Sequence, residues 1–172
     1  MVLAPRHPQR FEAVARLAGE MGMKVVRASE WREGEGREGE GLPAGGVFLL
    51  DTIGDLGAMY SLGTAAFVGG GLVRGGGHNP LEAAEYGVPV VVGSSYENFR
   101  EIVERMRAVG GVRIVGMEAT GEQIGAELLG LLRDREAAVA MGLRGREVFL
   151  AEAGATARMA EKLAALVGSA ER

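Results

Sequence analysis

Residues 65–93 read AAFVGGGLVRGGGHNPLEAAEYGVPVVVG. An apolar run, a glycine-rich turn, an amphipathic run and a second apolar run follow one another in that order, and this order decides the fold class. The run at 65–68 is short and apolar, 80–86 has helical spacing behind Pro80, and 88–92 is continuously apolar and mostly β-branched. Strands apolar along their whole length are buried on both faces, as in parallel sheets covered by helices. The same alternation extends outward. Upstream, Val2-Leu3-Ala4 is stopped by Pro5, and Pro8 opens a helix that places Phe11, Val14, Leu17 and Met21 on one face and ends at Gly22. Residues 24–28 and 46–50 read as strands and 54–62 as a short helix. Downstream, 98–109 is a helix with Phe99, Ile102, Val103 and Met106 on its inner stripe, and 112–115 is the sixth strand. From Gly121 onward the chain reads as helical, with breaks expected near Gly142 to Gly145 and at Gly154. The predicted fold is α/β: one three-layer α/β/α Rossmann-like domain over 1–172, with a parallel sheet of about six strands in the order 3-2-1-4-5-6.

Composition narrows the function. Of 172 residues 29 are glycine, against an ordinary share of about 7%. They do not recur every third position, and only 5 residues are proline, so a collagen-like chain is excluded. Aromatic residues make up 5% and the formal charge is −4, which argues against stacking platforms and polyanion binding, hence no nucleic-acid partner. Cysteine is absent, which excludes disulfides, thiolate nucleophiles and cysteine-ligated metal. No apolar run approaches the roughly 18 residues of a membrane span. The stretch REGEGREGEGLPAGG at 32–46 has no apolar periodicity and is expected to be a mobile, solvated loop.

In doubly wound sheets ligands collect beyond the carboxyl ends of the strands, and the unusual polar residues of this chain fall there. After the first strand, Arg6, His7 and Arg10 gather donors near a helix start, a setting for phosphate or carboxylate as well as for a solvated basic turn. After the third, Thr52 and Asp55 have capping-box spacing, and Gly54 leaves room for a ligand to approach the backbone. After the fourth, Gly75, Gly76 and Gly77 close a turn whose glycines leave backbone N–H groups open to a ligand. His78 has no second ligand at metal-site spacing, so no metal is expected. Asn79 and Glu82 either cap the helix that Pro80 starts or present a carboxylate to a ribose diol. After the fifth, Ser94, Ser95, Asn98 and Arg100 surround another helix start. No Ser-His-Asp order is present. The pattern describes phosphate and ribose binding more than catalysis.

Assembled, FVGGGLVRGGGHNPLEAAEYGVPVVVGSSYENFREI at 67–102 resembles the bacterial 3-deoxy-D-manno-octulosonic acid (Kdo) transferases. APRHPQRFEAV near the start and DTIGDLGAMYSLGTAAFVGG in the middle are similar to two further motifs of that family, at matching separations. The resemblance implies a two-domain GT-B glycosyltransferase that moves Kdo from CMP-Kdo to a lipid A precursor at the cytoplasmic face of the inner membrane. It covers only the C-terminal, donor-binding domain, here a soluble one. A partner N-terminal domain, lying outside this chain, is then expected to hold the acceptor side and the general base, so no catalytic residue is assigned here. The resemblance implies donor-binding roles for Arg6, His7, Thr52, Gly54, Asp55, Gly75, Gly76, Gly77, His78, Asn79, Glu82 and Asn98, and no cofactor. Weak self-association through a vacated interdomain face is also expected. Two departures stand out. Ser94 and Ser95 occupy positions where relatives commonly have proline and histidine, and Gly71 precedes Leu72-Val73-Arg74 where relatives tend to have serine and a different run. A domain using UDP- or GDP-sugars, or a nucleotide-binding module without chemistry, remains the alternative reading.

Overall fold

The computed structural model describes residues 1–31 and 44–170, and the side chains of 155–170 are outside that description. Of the loop expected at 32–46, residues 32–43 lie outside the described residues. The chain divides into two compact units, Met1–Met59 and Tyr60–Arg172. Six parallel strands with helices between them confirm the α/β class, but among the described residues they pair into two three-stranded sheets, not the single six-stranded sheet expected.

In the first unit, β1 (Val2–Leu3) and β2 (Val25–Arg27) flank β3 (Val47–Leu49). The order β1-β3-β2 corrects the expected 3-2-1, which had β2 in the centre. Burial gives the reason. Val47 and Leu49 are fully buried, whereas β1 is half exposed and β2 ends on the charged Arg27. The most apolar strand takes the position with neighbours on both sides. A 3₁₀ turn at Pro8–Arg10 leads into α1 (Phe11–Glu20), and a short α2 (Ala28–Glu30) follows β2. Trp31 then packs edge-on against Phe48 at 6.4 Å.

In the second unit the order β4-β5-β6 is as expected, with β4 (Ala66–Val68), β5 (Val90–Gly93) and β6 (Val112–Val115). Side chains alternate across β5. Val90 and Val92 join Ala83 and Ala84 of α4 (Leu81–Ala84) and Val103 and Met106 of α5 (Arg100–Ala108) in one cluster. Val91 points the other way, to Leu131 of α6 (Gly121–Arg133) and Met141 of α7 (Arg135–Ala170). Helices therefore cover both faces of this sheet. The expected breaks at Gly142 to Gly145 and Gly154 do not occur, because α7 runs through them. The interruption falls at Asp134, whose carboxylate accepts from the Ala137 amide at 3.0 Å and so starts α7.

Candidate functional site

Each unit places polar residues at the carboxyl ends of its strands. In the first, Arg6 and His7 follow β1 in an exposed bend. After β3, the Thr52 hydroxyl donates to Asp55 at 2.6 Å. Asp55 rather than Thr52 heads α3 (Leu56–Tyr60), since its carbonyl accepts from the Met59 amide. The expected pair therefore meets, with the capping role moved three residues on. Gly54 is exposed, with open space where a side chain would stand. Sequence reasoning passed over Asp51. Its carboxylate accepts from the Ser29 amide at 2.9 Å and the Ser29 hydroxyl at 2.7 Å, and Arg27 Nε faces it at 3.1 Å as an ion pair. Burial alone would raise the Asp51 pKa, but the Ser29 bonds and the Arg27 charge outweigh it and hold the carboxyl below its usual range.

The second unit carries an open cleft of about 470 Å³. One wall is the glycine-rich turn after β4, with Arg74, Gly75 and Gly76; the other is the turn after β5, with Ser94, Ser95, Glu97 and Asn98; Met117, after β6, closes it. Gly75, Gly76 and Asn98 of the expected set are thus brought together. Gly77 and His78 lie behind them, in a narrow space between the turn and β5. The Glu118 amide donates to the Leu72 carbonyl at 3.0 Å, tying the turn after β6 to the glycine-rich one.

The amides of Gly75 and Gly76 already have an acceptor. Both point at Ser95 Oγ, at 3.3 Å each, so the N–H groups expected to meet a ligand are already engaged. Ser95, 3% exposed, is the buried polar residue among those described. Its hydroxyl donates to Glu97 at 2.8 Å. The backbone amide of Glu97 and then the Ser95 hydroxyl hold this carboxyl below its usual range, with Arg100 and Arg74 adding to the effect.

At the start of α4 the Asn79 carboxamide accepts from the Leu81 amide at 3.1 Å, the expected local cap. Glu82 does not complete it. The Glu82 side chain is exposed and makes no hydrogen bond or ion pair among the described residues. Its charge reaches Tyr60, whose pKa is raised by burial and then by Glu82. No cluster of three metal-ligating side chains exists among the described residues.

Three comparisons bear on this geometry. No family model matches the sequence. The chain is 34% identical over 165 residues to the 3-deoxy-D-manno-octulosonic acid transferase of Haemophilus influenzae and 33% identical over 163 residues to that of Bordetella pertussis. Each alignment covers 95% of this chain and 36% of the relative, so the chain spans about a third of the length of these enzymes. It is also similar to a solved structure, the C-terminal CMP-Kdo binding domain of WaaA from Acinetobacter baumannii. Identity there is 33% and the TM-score 0.71, over 86% of this chain and 72% of that domain. The chain belongs to the Kdo transferase family.

Within this Kdo transferase domain the two sequence departures fall in one place. Ser94 and Ser95 lie on one wall of the cleft and Arg74 on the other. Sequence reasoning named the serines as polar groups near a helix start but gave them no role, and it missed Glu97 and Met117 as lining residues. The signal for Ser95 and Glu97 is a short polar run after a valine-rich strand; they bond each other two residues apart, but the Gly75 and Gly76 amides that Ser95 accepts from lie about twenty residues away, where no spacing rule reaches.

Proposed function

We propose that this chain is the donor-binding domain of a glycosyltransferase that moves Kdo from CMP-Kdo to a lipid A precursor in lipopolysaccharide biosynthesis. The observation that carries the reading is the cleft at the carboxyl ends of β4, β5 and β6, in a chain 33% identical to a solved CMP-Kdo binding domain. Open α/β sheets take nucleotides at that end. In this reading Arg74 supplies a charge-assisted bond to the phosphate or the sugar carboxylate, and Arg6, in the first unit, keeps the donor-binding role that the family resemblance implies. Asn98 borders the nucleotide, and Glu82 accepts from the ribose hydroxyls. The exposed, unbonded state of Glu82 supports a ligand role over a capping one. His7, Thr52, Gly54, Asp55, Gly77, His78 and Asn79 shape the strand ends, and no cofactor takes part. The partners are the donor nucleotide sugar, the lipid A precursor and an N-terminal acceptor-binding domain of the same protein. The whole enzyme works at the cytoplasmic face of the inner membrane; among the described residues no helix is long and apolar enough to cross one.

Calorimetric titration tests this. CMP and CMP-Kdo should bind the wild-type chain and UDP and GDP should not. Glu82→Gln should weaken CMP roughly ten- to a hundredfold, the worth of one charge-assisted bond of about 1.5–3 kcal/mol. Arg6→Ala should weaken CMP-Kdo. Unchanged affinity in both variants, with a lowered melting temperature for Glu82→Gln, would return these residues to purely structural roles.

A further inference from the structure

We propose that Ser95 is the positioning residue of this cleft, with Glu97 fixing the direction of its hydroxyl; the inference rests on the donor-binding reading above. A hydroxyl has one hydrogen and two lone pairs. Glu97 takes the hydrogen at 2.8 Å, and the Gly75 and Gly76 amides, at 3.3 Å each, take the lone pairs. The group is saturated and its orientation is set from outside by a carboxylate. Ser95 is buried, as is Gly76, so loss of the hydroxyl leaves the Gly76 amide without its partner and turns that of the exposed Gly75 over to water.

These bonds cross the ligand site. Gly75 and Gly76 line one wall of the cleft while Ser95 and Glu97 line the other, so the hydroxyl sets the spacing between the walls. Asn98 closes the same seam, its amide donating to the Gly76 carbonyl at 3.2 Å and its carboxamide to the Gly75 carbonyl at 3.3 Å. With the turn's amides committed to Ser95, an entering anion meets the outer side of the turn, where Arg74 is exposed. Ser95 and Glu97 thus act on the ligand through the placement of Arg74 and the glycines. A serine that merely satisfies a buried turn would affect stability alone.

The test uses this chain with Ser95→Ala, Glu97→Ala and Glu97→Gln. Three measurements run together: calorimetric titration with CMP and CMP-Kdo, amide hydrogen exchange at Gly75 and Gly76, and thermal melts. Ser95→Ala should weaken CMP-Kdo by about tenfold and expose both amides to exchange. Glu97→Ala, at an exposed position that does not threaten folding, should move both readouts in the same direction. Glu97→Gln keeps an acceptor oxygen for the hydroxyl and should restore both toward wild type. If wild type binds and the alanine variants bind equally well, with only melting or exchange altered, the positioning role is overturned while the donor-binding reading stands. If wild type binds neither ligand, both fall together.

Discussion

Gly76 stands at φ +82°, and a Cβ there would overlap the Asn98 carboxamide. Gly76→Ala therefore combines left-handed strain with displacement of the side chain that stitches the cleft. We expect a loss of about 1–3 kcal/mol, read as a lower urea midpoint at unchanged slope. Asp51 yields a pH prediction. Its folded pKa lies below the ordinary value of 3.8, so its contribution is complete above that value and is lost as pH falls through the lower folded one. Asp51→Asn should cost about 2 kcal/mol at neutral pH and flatten the acid limb of the stability curve, measurable by urea unfolding between about pH 2 and 7. Asp51 did not stand out in the sequence, and Ser95 stood out as a polar group and a departure from relatives but without a visible partner. Their partners, Ser29 for one and Gly75 with Gly76 for the other, lie on different loops, and only folding brings them together. Asn79, by contrast, bonds two residues along its own chain and was legible for that reason.

Local signals served the elements well where both ends of the signal sat in one segment. The helix starting at Gly121 was legible, and its start is a full capping box: Thr120 Oγ1 accepts from the Gln123 amide at 3.3 Å and Gln123 Oε1 accepts from the Thr120 amide at 2.8 Å. Thr120→Ala should lower stability by about 1 kcal/mol, seen in thermal melts with ligand affinity unchanged. Glycines in the last helix misled. A mid-helix glycine costs about 1 kcal/mol relative to alanine, so Gly142 and Gly145 read as a break. Yet a Cβ on Gly142 would collide with the Gly87 carbonyl, and one on Gly145 would crowd the Gly111 carbonyl at 3.2 Å. These residues are small because α7 passes close to two turns of the same unit, and tertiary packing outweighs the local cost. Gly142→Ala should gain helix propensity and still destabilise, by about 2–4 kcal/mol; a more stable variant in chemical unfolding would contradict the packing account.

For the molecule as a whole, alternation of apolar strands and helices was enough to fix the class and the parallel sense. Strand order needs relative burial as well, and Val47 and Leu49 outrank β2 in a way that a two-residue margin of sequence does not announce. The site was legible where glycine density met a strand end, at Gly75 and Gly76, and illegible where one wall is held by the other. That arrangement also bears on catalysis. A general base works best with a pKa near the operating pH. The carboxylate in the cleft, Glu97, is held below its usual range and is occupied by the Ser95 hydroxyl; the one after β3, Asp55, accepts from Thr52 at 2.6 Å. Neither is arranged to take a proton from an acceptor hydroxyl, and in this family reading the acceptor side belongs to the part of the relatives, about two thirds of their length, that this chain does not match. The chain by itself, given CMP-Kdo and a lipid A precursor, should bind the donor and yield no glycosylated lipid by mass spectrometry. Turnover above a protein-free control would locate a base within these 172 residues, and Glu97→Gln and Asp55→Asn would then show which carboxylate supplies it.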